Sequence, residues 1–465
     1  MTESMHEGKA MYELASKIFP IYRSITGEGV RETFRILKEW LGDACSFNLY
    51  EVPTGTAVFD WTVPKEWVIR DAYIEKKPGE KILSFRDCPL CVVGYSKPVD
   101  EWVTLEELKE IVHTQPDQPD LIPYVTSYYK ERYGFCMTEN QKQNLKPGRY
   151  HIVIDSELKD GSLTYADAIL PGESEEEILI STYSCHPTMA NDNCSGIVLA
   201  AQMIKYVASL ENRKYTYRFV FGPETIGILT YLSQNERWKT LREKVKAGFV
   251  LSCVGDDRGY AIVHSQSEKT LSDRVLMNVL KDGEPEKVKE YSFLERGSDE
   301  RQYNYPGIGL GVVGFCRSKY WEFPEYHTSA DDLTVISEEG LQGSFNIMKE
   351  AVDALEHNEI YTANTLGEPQ MGRRGLYPTL SQKGVWDGVR VMMDVLLYAD
   401  GKRDLLEISE AIHVPVRELI PVIQTLENAD LIRKTQAFPA SQHNTAPESL
   451  VFRGITEQHQ EENQL

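Results

Sequence analysis

The sequence predicts an α/β protein: a sheet flanked by helices, with a small β-rich unit near its start and a short helical module near its end. Three observations carry that expectation. Residues 176–184, 195–210 and 215–224 read in turn as a buried strand, an amphipathic helix and a second strand, and that order implies a parallel βαβ unit. Residues 46–100 change texture to short β-rich runs broken by Pro53, Pro64, Pro78, Gly79 and Pro89. Residues 389–434 read as three short helices joined by tight turns, the pattern of a winged-helix or helix-turn-helix module.

Composition limits the function classes. The chain has 465 residues, 41% hydrophobic and 26% charged, outside disordered, collagenous or coiled-coil compositions. Asp and Glu number 71 against 50 Lys and Arg, for a formal charge of -21, so phosphate backbones and anionic lipid would repel the chain as a whole. Nucleic acid and membrane are therefore not expected partners. The first residues carry no basic segment followed by an apolar run, and no stretch approaches the ~20 apolar residues that span a bilayer. A cytoplasmic location is expected. Eight dispersed cysteines read as reduced thiols, Cys88 and Cys91 as a loop or buried pair.

In chain order, Met11, Leu14, Ile18 and Phe19 mark one helix face and Phe34, Leu37, Trp40 and Leu41 another, so two helices open the protein. The β-rich unit follows, then a proline-containing polar stretch and an aromatic segment from Tyr124. The α/β alternation occupies 150–358 and closes with a helix over 340–357. The polar tail from about 440 is expected to be loose.

Chemistry concentrates after strand ends, where ligands gather in open α/β sheets. His186 closes the first buried strand and Asp192 lies in the polar loop before the helix at Ser195; imidazole and carboxylate there can converge on one cation. The same two residues also read as a strand-end His and an N-capping Asp. Glu224 ends the second strand and suits a general base beside a metal-bound water. His327 lies in a loop four residues before Asp331, whose carboxylate is placed to orient the imidazole. Gly309, Gly311 and Gly314 spell a dinucleotide-like motif, but no helix follows them, so that reading is rejected. Cys185 and Cys194 flank the site and read as small buried thiols.

The order of these pieces resembles the MH-clan zinc aminopeptidases: His186, the run Ala190-Asn191-Asp192-Asn193-Cys194-Ser195-Gly196, Glu224, Gly297-Ser298-Asp299, and Tyr326-His327-Thr328 through Asp331. The whole chain is similar to the aminopeptidase-like proteins associated with bacterial polysaccharide biosynthesis, through residues 18–34, Phe221-Gly222-Pro223-Glu224-Thr225 and Met371-Gly372-Arg373-Arg374. The resemblance implies a zinc-aminopeptidase-like mixed sheet flanked by helices. It divides the chain into a catalytic domain over 1–45 and 136–362, an inserted β-rich domain over 46–135, a winged-helix module over 363–440 and a polar tail over 441–465.

Two departures bear on the metal. The resemblance places carboxylate ligands where this chain has Thr225 and Ser252. His186, Asp192 and His327 are then left around one zinc ion with an open position for water, a catalytic arrangement. A second ion lacks its ligands unless Asp256 or Asp257 supplies one. Glu224 is implied as the base, Asp331 as the support of His327, and Arg296, Asp299, Glu300 and Arg301 as a charged group facing substrate. The expected activity is zinc-dependent hydrolysis of an amide in a small peptide or an amino-acylated, including sugar-linked, molecule. The alternatives are a metal-stabilised binding protein without turnover, or a winged-helix regulator. The oligomeric state stays open, a homo-oligomer included.

Overall fold

The computed structural model describes residues 6–283, 285–377 and 387–435. The expected tail, 441–465, lies outside the described residues. The chain opens with helices α1 (His6–Ile18) and α2 (Glu28–Leu41) and strand β1 (Phe47–Pro53). Next come β2 (Glu66–Glu75), β3 (Lys81–Ser84), β4 (Val99–Thr104) and β5 (Arg149–Lys159), followed by β6 (Ser162–Leu170), β7 (Glu177–Tyr183), α3 (Gly196–Ser209) and β8 (Thr216–Gly222). Helix α4 (Ile226–Ser233), β9 (Val245–Leu251), β10 (Tyr260–Val263), α5 (Leu271–Asp282), β11 (Val288–Tyr291), β12 (Val312–Cys316) and α6 (Glu338–His357) complete the larger unit. The terminal module contains β13 (Ile360–Ala363), α7 (Asp387–Tyr398), β14 (Asp400–Asp404), α8 (Leu405–Ile412), α9 (Val416–Asn428) and β15 (Ile432–Lys434).

Eight strands form one mixed sheet in the order β1-β6-β8-β7-β9-β12-β10-β11. Its centre, β8-β7-β9-β12, is parallel, and β7-α3-β8 is the βαβ unit read from the sequence. Strand β7 is buried at every position, so its middle, residues 178–182, is continuously apolar or small rather than alternating, while Glu177 at its start pairs with Arg218. Strands β1, β6 and β10 join antiparallel outside this centre.

The helical faces expected in the opening segment are the buried ones: Met11, Leu14 and Ile18 on α1, and Phe34, Leu37 and Leu41 on α2. Helix α1 lies so close to α6 that a Cβ on Gly8 would sit 2.2 Å from the Glu338 carbonyl oxygen.

A second, antiparallel sheet, β3-β2-β5-β4, builds the small β-rich unit. The pairing puts Phe47–Pro53 in the main sheet and Arg149–Lys159 in the smaller one, across the expected limits of 46 and 135. The reason is that the chain leaves the main sheet after β1 and returns to it at β6, and these two strands pair antiparallel. Within that unit, Ile122 and Ser329 exchange hydrogen bonds of 3.0 and 2.9 Å, which ties it to the loop carrying His327.

The terminal module packs α9 against α6 and α8 against α5. Arg274 of α5 pairs with Asp404 and Glu410 at 3.2 and 3.1 Å. Among the described residues, no helix is long and apolar enough to cross a membrane.

Candidate metal centre

His186, Asp192 and His327 are brought together by the carboxyl end of the parallel centre of the sheet. Asp192 sits in the turn 190–195 between β7 and α3, and its neighbours explain why that turn is built of asparagines. Asn193 donates to Thr182 Oγ1 at 2.8 Å and accepts from the Gly196 and Cys253 N–H groups at 3.2 Å each. Asn191 accepts from Gly255 N–H at 2.8 Å and donates to Asp256 Oδ2 at 3.0 Å. Each amide offers both a donor and an acceptor, so the two asparagines tie the buried turn to the backbone of Gly196, Cys253 and Gly255 and to the side chains of Thr182 and Asp256. The Asp192–Asn193 peptide is cis.

The two oxygens of Asp192 face different partners. Oδ1 accepts a hydrogen bond from the Tyr183 hydroxyl, which lies 2.7 Å from Ser252 Oγ. Oδ2 lies 3.0 Å from His327 Nε2 and 3.8 Å from His186 Nε2. Asp192 Oδ2 and His327 Nε2 are buried with no well-formed hydrogen bond among the described residues, their close polar contact being with each other. Orphaned buried polar atoms are costly, and two of them converging with a third donor within 4.8 Å fit a cation held by two imidazoles and a carboxylate. Burial pushes the His186 imidazole down to about 4, so it is neutral at pH 7 and has a lone pair to offer. Burial opposes charge on Asp192 too, but the facing histidines and the Tyr183 hydroxyl hold its carboxyl at about 2.

Glu224 follows the end of β8, and its Oε2 lies 3.9 Å from His186 Nε2. Burial, then the charge of Asp299, push its carboxyl well above the usual range. Its backbone N–H donates to Cys185 Sγ at 3.2 Å. That thiol is itself pushed far up by burial, which leaves it an anchor rather than a nucleophile.

Several expected roles change. Asp331 does not hold the His327 imidazole: its Oδ1 and Oδ2 accept from the backbone N–H groups of Asn191 and Asp192 at 2.7 and 2.9 Å. The acid thus fixes the ligand loop, because those N–H groups have no partner within their own turn. Arg296 is not brought to the site either; its guanidinium packs 4.8 Å from the Phe293 ring and bonds that residue's carbonyl. Glu300 turns inward, where Oε1 accepts from Gly297 N–H, Ser298 N–H and the Tyr320 hydroxyl. Asp299 and Arg301 do converge on the Glu224 segment. Asp299 Oδ1 accepts from Thr225 N–H at 2.8 Å, and Arg301 Nη2 lies 2.5 Å from Thr225 Oγ1 and 3.6 Å from Glu224 Oε1.

Three contributors escaped the sequence reading. Arg23, 1% exposed, donates to the carbonyls of His186 and Ile18 and to Cys194 Sγ, clamping the ligand loop from the N-terminal segment. Tyr183 holds Asp192. Tyr124, from the small β-rich unit, donates its N–H to the His327 carbonyl at 2.8 Å and packs its ring against both histidines. Arg23 and Tyr124 both lay in segments singled out for other reasons; no local spacing links either to the site.

This fold and its His-Asp-His cluster define an aminopeptidase-like α/β protein with a C-terminal winged helix. The chain belongs to the family described as Domain of unknown function (DUF4910), whose model matches residues 12–358, and a winged helix-turn-helix model matches residues 359–434. A Clostridium acetobutylicum protein described as a candidate polysaccharide biosynthesis protein with aminopeptidase-like domain is 41% identical, over 92% of this chain and 97% of that one. A crystal structure of a candidate peptidase from Clostridium acetobutylicum covers 93% of this chain and 97% of that one, at 41% identity and a TM-score of 0.86. A zinc aminopeptidase from Bacillus subtilis shares the fold at 12% identity and a TM-score of 0.54, over 76% of this chain and 95% of that one.

Proposed function

We propose that the protein is a zinc-dependent hydrolase of the aminopeptidase type, acting on an amide in a small peptide or an amino-acylated, including sugar-linked, molecule. The observation that carries this reading is the convergence of His186, Asp192 and His327, with the Glu224 carboxylate 3.9 Å from one of them. The description of the Clostridium acetobutylicum relative supports a substrate from polysaccharide biosynthesis.

Zinc, when bound, supplies Lewis acidity that polarises a carbonyl and acidifies a water. Glu224 takes the proton from the attacking water and returns it to the leaving amine, a role suited to a carboxyl whose affinity for protons is raised. Asp192 and the two histidines hold the ion, and Asp331 fixes the backbone that aims Asp192. Arg301 and Asp299 hold the Glu224 segment in place from the opposite side.

The test is zinc content per chain, by elemental analysis of protein purified without chelator. Wild type is expected to carry one equivalent, and His186→Ala and His327→Ala to lose it. Glu224→Gln is expected to keep the ion and lower turnover of amide substrates by about 10²–10⁴-fold. The loss of carboxylates at Thr225 and Ser252 supports a second reading, a metal-stabilised binding protein; it predicts full zinc and no turnover in wild type and Glu224→Gln alike.

A further inference from the structure

We propose that the guanidinium of Arg301 stands in for a second cation, so that the site is built for one divalent ion. The inference rests on the zinc-hydrolase reading and concerns how many ions that site takes.

Glu224 lies between two positive or potentially metal-bearing groups: one oxygen is 3.9 Å from His186 Nε2 and the other 3.6 Å from Arg301 Nη2. The same nitrogen bonds Thr225 Oγ1, at the position where the resemblance called for a metal-binding carboxylate. A guanidinium carries a permanent charge and several fixed donors, so it offsets carboxylate charge as an ion does but has no open coordination position. The Thr225 hydroxyl gives that guanidinium an acceptor oxygen without adding a negative charge, so the cation is left to face Glu224.

Asp192 is restricted in the same sense. A carboxylate that bridges two ions with one oxygen on each would need Oδ1 free, and here Oδ1 accepts from the Tyr183 hydroxyl, itself beside Ser252 Oγ. Ser252 is the second position where a carboxylate is missing. The acids that follow do not compensate. Asp256 Oδ1 accepts from Arg258 N–H and Ser318 Oγ at 2.9 and 3.0 Å, and its Oδ2 accepts from Asn191 Nδ2 at 3.0 Å. Asp257 is exposed.

The experiment is a zinc titration of the metal-free full-length chain by calorimetry, with elemental analysis of the product. Wild type is expected to bind one equivalent. The pair Thr225→Glu with Ser252→Asp, which restores both carboxylates but keeps Arg301, is expected to remain at one. Adding Arg301→Ala to that pair is expected to raise the count to two. Two equivalents in wild type would overturn the proposal. So would two in the pair that keeps Arg301, or one in the triple variant. No zinc in wild type would instead remove the hydrolase reading, and this proposal with it. Cobalt-loaded wild type gives an answer that needs no variant to fold: an electron paramagnetic signal of isolated ions, unchanged by excess cobalt, is expected, and a spin-coupled pair would overturn the proposal.

Discussion

Asp331 shows how a residue can be found for the wrong reason. Its position four residues after His327 made it legible as a support, but the support runs through space to Asn191 and Asp192, about 140 residues earlier. Removing it strands two buried N–H groups, at about 1–3 kcal/mol each, and frees the loop that aims Asp192. Asp331→Ala is therefore expected to weaken zinc binding by about 10–100-fold, read by competition with a chromogenic chelator, and to lower thermal stability in the metal-free protein. Unchanged zinc affinity would mean the loop holds its shape without this acid. His186, Asp192, Glu224 and His327 were readable because each sits beside a strand end or in a short motif. Arg23 and Tyr183 were not, because an arginine in an opening segment and a tyrosine closing a buried strand look like ordinary structure until the turn 190–195 folds over them.

At the scale of elements, the strand-helix-strand unit was legible because periodicity changes sharply between Tyr183 and Ser195, whereas the partners of β1 and β10 were not, since antiparallel addition leaves no local signature. The junction of α5 with β10 and β11 shows what such pairing creates. His264, just after β10, places Nδ1 2.9 Å from Asp273 Oδ1, near the start of α5, and Nε2 3.2 Å from Glu290 Oε2 on β11. Only the imidazolium donates to both carboxylates, and the hydrogen bond to Asp273 leads the upward shift of its pKa above 6.5. A group whose folded pKa is raised stabilises fully below its unfolded value and loses that contribution as pH climbs through the folded value. Wild type is expected to exceed His264→Gln by about 2 kcal/mol in urea unfolding at pH 6, with the gap closing by about pH 9. A gap that stays constant across that range would show that His264 acts through packing alone.

At the scale of the whole molecule, the terminal module poses the question of DNA, since a winged helix normally reads the major groove with its recognition helix. Here the start of that helix, α9, is tied to the larger unit through buried Val416 and exposed Arg417. Val416 N–H donates to Asn278 Oδ1 of α5 at 3.2 Å, and Arg417, in the first turn of α9, pairs with Asp282 of α5 and lies 3.8 Å from Glu350 of α6. Arg274, Asp404 and Glu410 close the same interface. The basic side chain a phosphate would need is thus spent within the chain, and the helix surface left outside carries Glu418 and Glu427. With a formal charge of -21 on the chain, phosphate backbones are repelled by the protein as a whole. Fluorescence anisotropy with a labelled duplex at 150 mM salt is expected to show no saturable binding at protein concentrations up to about 10 μM, within the range where non-specific binders already associate. Arg417→Ala is expected to leave that result unchanged while lowering thermal stability, because its partners are this chain's own acids. Saturable binding that weakens steeply with added salt would mean that the module undocks, and would place the regulator reading ahead of an interface that holds the two units together.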